Sequence, residues 1–232
     1  MTAVKKSILL PGAAFGCAFL GLITWALRWR LLTTAVDEKG LLAAGHPLSA
    51  ACLILTALTV LLAVLCFRKV PKTVCLSGNA VSAVLRAVAM IVACVLFWNT
   101  DLLGKAAALA AAVTAAVSLG SLAIKKIPAA VLDIPMLVFF LLCLLSRYQA
   151  WSAEPEIQRY CFALLALVCL MMATYQRSAV SLGMAKGRML LCSGCLGVFF
   201  AFAAATDRGF AVLFLVLGAW MLTELASVNT EA

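Results

Sequence analysis

Charged side chains are scarce in this chain. Aspartate, glutamate, lysine and arginine make up 12% of the 232 residues, whereas 66% are hydrophobic, and the mean hydropathy is +1.14. A water-soluble domain of this length needs a polar exterior, which so few charges cannot provide. The composition therefore excludes an ordinary soluble domain. It predicts an integral membrane protein with the lipid bilayer as its main partner.

Catalytic motifs are lacking as well. The sequence has no phosphate-binding P-loop, no glycine-rich dinucleotide turn and no zincin motif. His46 is the single histidine, and no cysteine or carboxylate cluster stands beside it to make a metal site. We therefore expect a protein that is not an enzyme and has no cofactor and no metal. The net charge of +9 is explained by basic loops that meet anionic lipids, so we expect no nucleic-acid partner.

Cysteine is present, but not in the pattern of a disulfide framework. Nine of the ten cysteines fall in apolar runs, Cys75 falls in a predicted inner loop, and none falls in a predicted outer loop. This distribution indicates cysteine used as a small apolar residue. Cys192 and Cys195 form a C-x-x-C motif, but a redox relay would need partner cysteines outside the membrane, so we favour packing over redox chemistry.

Long apolar runs are the dominant feature of the sequence. A helix needs roughly 20 apolar residues to cross a hydrocarbon core, and eight segments meet or approach that length. The runs are apolar on all sides, which predicts helices rather than the alternating strands of a barrel. The sequence thus predicts an all-α bundle of eight transmembrane helices in one domain, residues 1–232. The predicted spans are Ile8–Leu27, Leu48–Phe67, Val81–Trp98, Ala106–Ile124, Ile127–Leu145, Tyr160–Tyr175, Met189–Ala205 and Phe210–Ala226.

Basic residues predict the orientation. If both termini are cytoplasmic, ten lysines and arginines lie in inner segments and seven in outer ones, the bias expected of the cytoplasmic side. The inner ten are Lys5, Lys6, Arg68, Lys69, Lys72, Lys125, Lys126, Arg177, Lys186 and Arg188. The outer seven are Arg28, Arg30, Lys39, Lys105, Arg147, Arg159 and Arg208.

The loops also resemble one another in pairs. Thr100-Asp101 with Gly104 follows the third span, and Thr206-Asp207 with Gly209 follows the seventh. Such pairs are expected of two parallel four-helix repeats, residues 1–126 and 127–232, a plan that some transporters use. Alternatively, any eight-span chain alternates basic and acidic loops, so the duplication stays open.

Small residues predict which helices pack closely in lipid. The first, fourth and seventh spans carry such residues at intervals of four, which predicts central helices. The leucine-rich second span is predicted to face lipid. The ladder of the fourth span is Ala108, Ala112, Ala116 and Gly120.

Two ionisable residues lie inside predicted spans. Counted from the start of their own helices, Arg86 and Asp133 both lie roughly 8–9 Å from the cytoplasmic face. Each is costly in hydrocarbon when unpaired, so we expect them to contact each other or to share a polar site with Glu224. Arg188 lies near the same face. The pair is either structural or part of a cytoplasm-facing site for a solute or proton.

Three stretches resemble small multi-pass membrane proteins of Gram-positive clostridia. They are Asp37-Glu38-Lys39-Gly40-Leu41 with Gly45-His46-Pro47, Trp151-Ser152-Ala153-Glu154-Pro155 with Tyr160-Cys161-Phe162, and Tyr175-Gln176 with Leu182-Gly183. The resemblance implies a bacterial plasma membrane and carries no assigned activity or functional residue.

Two functions are compatible with these features. The first is a membrane subunit or scaffold, which would bind another membrane protein or a second copy of itself. The alternative is a small secondary transporter or channel, in which a small solute would meet the polar site around Arg86 and Asp133.

Overall fold

The computed structural model describes residues 2–35, 46–67, 75–76, 79–123, 129–151, 157–185, 187–207 and 209–229. These residues form eight α-helices and one pair of short β-strands. The strands are β1 (Cys75–Leu76) and β2 (Val228–Asn229), which pair antiparallel. The helices are α1 (Thr2–Thr34), α2 (Pro47–Phe67), α3 (Ala80–Trp98), α4 (Leu102–Ala123), α5 (Ala129–Trp151), α6 (Ile157–Ser181), α7 (Gly187–Ala204) and α8 (Ala211–Ala226).

Seven of these eight helices are long and apolar enough to cross a membrane. The predicted helical membrane bundle is confirmed at that level. Helix α8 has 16 residues and is roughly 24 Å long, which is shorter than a hydrocarbon core of about 30 Å. Eight crossings, the two repeats and the cytoplasmic termini stay predictions.

Helices α1, α5 and α6 extend beyond the predicted ends at Leu27, Leu145 and Tyr175. The prediction was wrong there because it ended each helix at the first polar residues. Helical hydrogen bonds join backbone groups and continue through polar side chains. As a result, four arginines expected in loops are helical: Arg28, Arg30, Arg147 and Arg177.

Helix α8 runs antiparallel to α3 from one end of the bundle to the other. Just before α8 begins, Phe210 packs against Phe97 near the end of α3, with ring centroids 5.4 Å apart. Near the end of α8, Glu224 accepts a hydrogen bond from Ser82, close to the start of α3. We call the end of the bundle that contains Ser82 and Glu224 the cluster end. The β1–β2 pair joins the segment between α2 and α3 to the segment after α8.

Helix α7 lies at the centre of the bundle, as predicted. It packs against α1, α2, α6 and α8, and 67% of its apolar stretch is buried, against 39% or less for the other six long helices. Small residues allow α7 and its neighbours to approach this closely. A Cβ atom at Gly194 would lie 2.8 Å from Leu225 of α8, and one at Gly21 of α1 would lie 2.8 Å from the carbonyl oxygen of Phe199 on α7.

The prediction that α4 is central through its four-residue ladder was wrong. Ala112 and Ala116 are exposed, and the main contacts of α4 are with α3 and α5. A strict interval of four drifts around a helix that has 3.6 residues per turn, whereas mixed intervals of three and four stay on one face. The buried stripe of α4 follows the mixed pattern and contains Ala107, Ala108, Ala111, Thr114, Ala115 and Ser118.

Helix α2 presents most of its surface to the outside. Its mean hydropathy of 2.7 is the highest among the seven long helices, and only 22% of it is buried. Its main contacts are with α1 and α7. The exposed leucines agree with the predicted lipid-facing role: they are Leu53, Leu58, Leu61, Leu62 and Leu65.

Candidate functional site

Four charged side chains from four helices meet at the cluster end: Arg86 of α3, Asp133 of α5, Arg177 of α6 and Glu224 of α8. Asp133 Oδ1 lies 3.2 Å from Arg86 Nη1 and 2.6 Å from Arg177 Nη1. Arg177 Nη2 lies 3.3 Å from Glu224 Oε1. We call these four residues the ionic cluster. When all four are ionised, the charges of the cluster cancel.

A serine hydroxyl supports each carboxylate of the ionic cluster. Ser178 Oγ donates a 3.1 Å hydrogen bond to Asp133 Oδ2, and Ser82 Oγ donates to Glu224 Oε1. Because an ionised carboxylate only accepts hydrogen bonds, hydroxyl and guanidinium donors satisfy it without a competing acceptor. The charged forms of both acids are therefore well supported.

The ionic cluster is almost fully enclosed by protein. Asp133 is 0% exposed, Arg86 2% and Glu224 8%, and the Arg177 side chain is 11% exposed. Removing ionised groups from water is costly, and mutual pairing with good hydrogen bonds is what compensates for that cost. The cluster therefore fixes the positions of α3, α5, α6 and α8 relative to one another.

Local sequence features place the cluster residues. Asn79 caps α3, because its side chain accepts a 3.0 Å hydrogen bond from the backbone N–H of Val81. From that start, Ser82 and Arg86 are four residues apart and lie on one buried face. On α5, Pro135 lies inside the helix two residues after Asp133 and supplies no backbone N–H to the preceding turn.

Sequence analysis grouped Arg86, Asp133 and Glu224 but missed Arg177. The short prediction for α6 put Arg177 in an inner loop. A usable signal was present, because the buried residues Leu170 and Thr174 set a helical period that reaches positions 177 and 178. The structure brings the three predicted residues together, whereas Arg188 is exposed at the start of α7.

The two arginines of the ionic cluster retain donor capacity. Arg86 Nε and Arg177 Nε are buried and make no hydrogen bond within the described residues. The same holds for Trp220 Nε1, one helical turn before Glu224 on α8. Buried donors in proteins usually find an acceptor, so the interior at this end has N–H groups to offer a polar partner.

At the opposite end, Arg28 and Arg147 are held by backbone and aromatic rings. Arg28 Nη1 donates a 2.8 Å hydrogen bond to the carbonyl oxygen of Ala203, near the end of α7. Its guanidinium carbon lies 4.3 Å from the ring centroid of Phe162, and that of Arg147 lies 3.6 Å from the centroid of Phe210. Cation–π and helix-end contacts of this kind stabilise a buried cation. These arginines therefore pack within the bundle, and the prediction that they lie in outer loops was wrong.

The cysteines and the histidine have structural surroundings. The nine cysteines outside β1 are free thiols, and Cys195 of α7 is buried next to Cys17 of α1. His46 precedes α2, and its Nδ1 accepts a 3.3 Å hydrogen bond from the N–H of Leu48. Among the described residues, no group of three or more histidine, cysteine, aspartate or glutamate side chains is arranged to hold a metal ion.

Comparison of the chain with protein-family models, curated proteins and solved structures finds no match.

Proposed function

We propose that this protein is a bacterial plasma-membrane protein with eight crossings, which acts as a membrane subunit or scaffold rather than as an enzyme. The observation that carries the proposal is the enclosed, charge-balanced ionic cluster. Each carboxylate has at least one arginine and one serine as partners. Such an arrangement suits a clamp that holds four helices in fixed positions.

The exposed surface supports the same role. Helix α2 is apolar and mostly outside the bundle, and α3 exposes Val84, Val88, Ile91 and Val95. These faces are available to lipid, to another membrane protein or to a second copy of the chain. A rigid bundle with free apolar faces is what a scaffold needs.

Contacts at the cluster end support the proposed topology. The β1–β2 pair places the segment before α3 beside the segment after α8, so an even number of crossings separates them. Six helices, α3 to α8, lie between those two segments. If all six cross, and α1 and α2 cross as well, both termini lie on one side of the membrane, and the positive-inside bias favours the cytoplasm.

One observation favours the alternative of a small transporter or channel. The spare N–H donors of Arg86 and Arg177 could bind a polar or anionic solute. Intramembrane ionisable residues mark solute and proton paths in many membrane proteins. In that case the described structure would be a closed state.

The two functions are separated by experiments on the intact protein. For a scaffold, chemical crosslinking in native membranes followed by affinity purification should return one membrane partner, or a second copy, in stoichiometric amount. Proteoliposomes that contain the protein should take up a panel of small organic anions and cations no faster than empty liposomes. Uptake by the unchanged protein that disappears in the Arg86→Met/Asp133→Leu variant would overturn the scaffold proposal in favour of a transporter.

A further inference from the structure

A groove of about 380 Å³ lies between α2 and α7, separate from the ionic cluster. The end of α2 contributes Val64, Leu65 and Phe67, and the start of α7 contributes Arg188, Met189 and Cys192. The volume is within the range of ligand sites, roughly 300–1,000 Å³. We propose that this groove binds one anionic phospholipid, with an acyl chain in the groove and the headgroup phosphate at Arg188.

The lining of the groove suits an acyl chain. Phe67 is 3% exposed and forms the floor, whereas Leu65 and Met189 are 52% and 55% exposed and form the walls. The groove is therefore open toward the surroundings of the bundle. All but one of its lining side chains lack a charge, so they match a hydrocarbon chain better than a polar solute.

The charge at the mouth of the groove selects the headgroup. Arg188 lies in the first turn of α7, where unpaired backbone N–H groups add partial positive charge. The end of α2 carries the opposite partial charge, and the next two residues of the sequence are basic, Arg68 and Lys69. Basic pockets between helices on the cytoplasmic side bind anionic lipid headgroups. The groove lies at the end of the bundle that the sequence predicts to be cytoplasmic.

The test uses phosphatidylglycerol with a photoreactive acyl chain, and phosphatidylcholine with the same chain as the zwitterionic probe. Each is added in trace amount to phosphatidylcholine nanodiscs that contain the full-length protein, and the labelled peptides are identified by mass spectrometry. We expect the anionic probe to label the peptides of residues 64–67 and 189–192 about fivefold more than the zwitterionic probe, the factor typical of one basic residue near a membrane. Soluble glycerol 1-phosphate in excess should not compete, because it has no chain.

Two variants test the headgroup contact and the acyl-chain contact separately. Arg188→Gln should remove most of the preference for the anionic probe, and Leu65→Trp should reduce labelling of the groove by both probes. The matched controls are Arg30→Gln and Leu58→Trp, which change exposed residues that do not line the groove; neither should change the labelling. Equal labelling by the two probes, competition by glycerol 1-phosphate, or a preference that survives Arg188→Gln would overturn the proposal.

Discussion

Replacement of Asp133 by alanine is the most informative perturbation of the ionic cluster. Asp133 accepts hydrogen bonds from Arg86, Arg177 and Ser178 at 3.2, 2.6 and 3.1 Å. Without it, the cluster keeps two guanidinium groups and one carboxylate, and its net charge becomes +1. Loss of one partner of a buried ion pair costs about 3–5 kcal/mol, so we expect the free energy of unfolding to fall by that amount.

Arg86→Met should cost less than Asp133→Ala. Asp133 keeps the shorter bond to Arg177 and the hydroxyl of Ser178, so the loss is that of one charged hydrogen bond, about 1.5–3 kcal/mol. The Arg86→Met/Asp133→Leu double variant leaves Arg177 paired with Glu224 and no net charge. The double variant should therefore be more stable than Asp133→Leu alone. Its loss of unfolding free energy should also be smaller than the sum of the losses in Arg86→Met and Asp133→Leu.

The measurement is reversible unfolding by sodium dodecyl sulfate in mixed lipid–detergent micelles, followed by circular dichroism. Asn79→Ala is a useful comparison, because it removes a cap on α3 worth about 1 kcal/mol and leaves the charges unchanged. Two results would refute the reasoning. One is an Asp133→Ala effect no larger than that of the cap, and the other is strict additivity of the two single substitutions in the double variant.

Three further predictions concern packing and topology. Gly21→Ala should destabilise the α1–α7 interface by about 1–3 kcal/mol, because its Cβ would meet backbone on α7; Gly16→Ala on the same helix has nothing within 4 Å and should be neutral or slightly stabilising in the same unfolding assay. Copper phenanthroline should join Cys17 to Cys195 in a disulfide detectable by peptide mass spectrometry, and Cys195→Ser should abolish it; no crosslink in the unchanged protein would show that the two thiols do not meet. A reporter fused after Ala232 should be active only in the cytoplasm, and activity outside the cell would overturn the topology.

The sequence was sufficient for the helical class and for three members of the ionic cluster. Hydrophobic length determines which segments form membrane helices, because a single apolar segment in lipid satisfies its backbone hydrogen bonds internally only as a helix. The depths of Arg86 and Asp133 follow from the rise of a helix, so their encounter could be expected before the structure was known.

The remaining features depend on tertiary packing. Arg177 was missed because hydropathy falls at a charge even when the helix continues, as α6 does to Ser181. The position of α4 was missed because a ladder of small residues does not specify which neighbour it meets. Comparable small-residue ladders occur on α4 and α7, yet only α7 has neighbours on most sides.

The order of the cluster residues along the chain has a consequence for biosynthesis. Arg86 is synthesised first, followed by Asp133, Arg177 and Glu224, so the charge of the growing cluster alternates between +1 and zero as helices emerge from the ribosome. A lone arginine costs about 2.5–3.5 kcal/mol on insertion scales at the centre of a membrane helix, which is an upper bound for Arg86 and Arg177 because both lie nearer to one end. The charge of Arg86 on α3 is therefore balanced only when Asp133 on α5 has been synthesised. The charge that Arg177 on α6 adds is balanced only when Glu224 on α8 has been synthesised. Without α8, Arg177 would lose its contact with Glu224, and the ionic cluster would keep a net charge of +1.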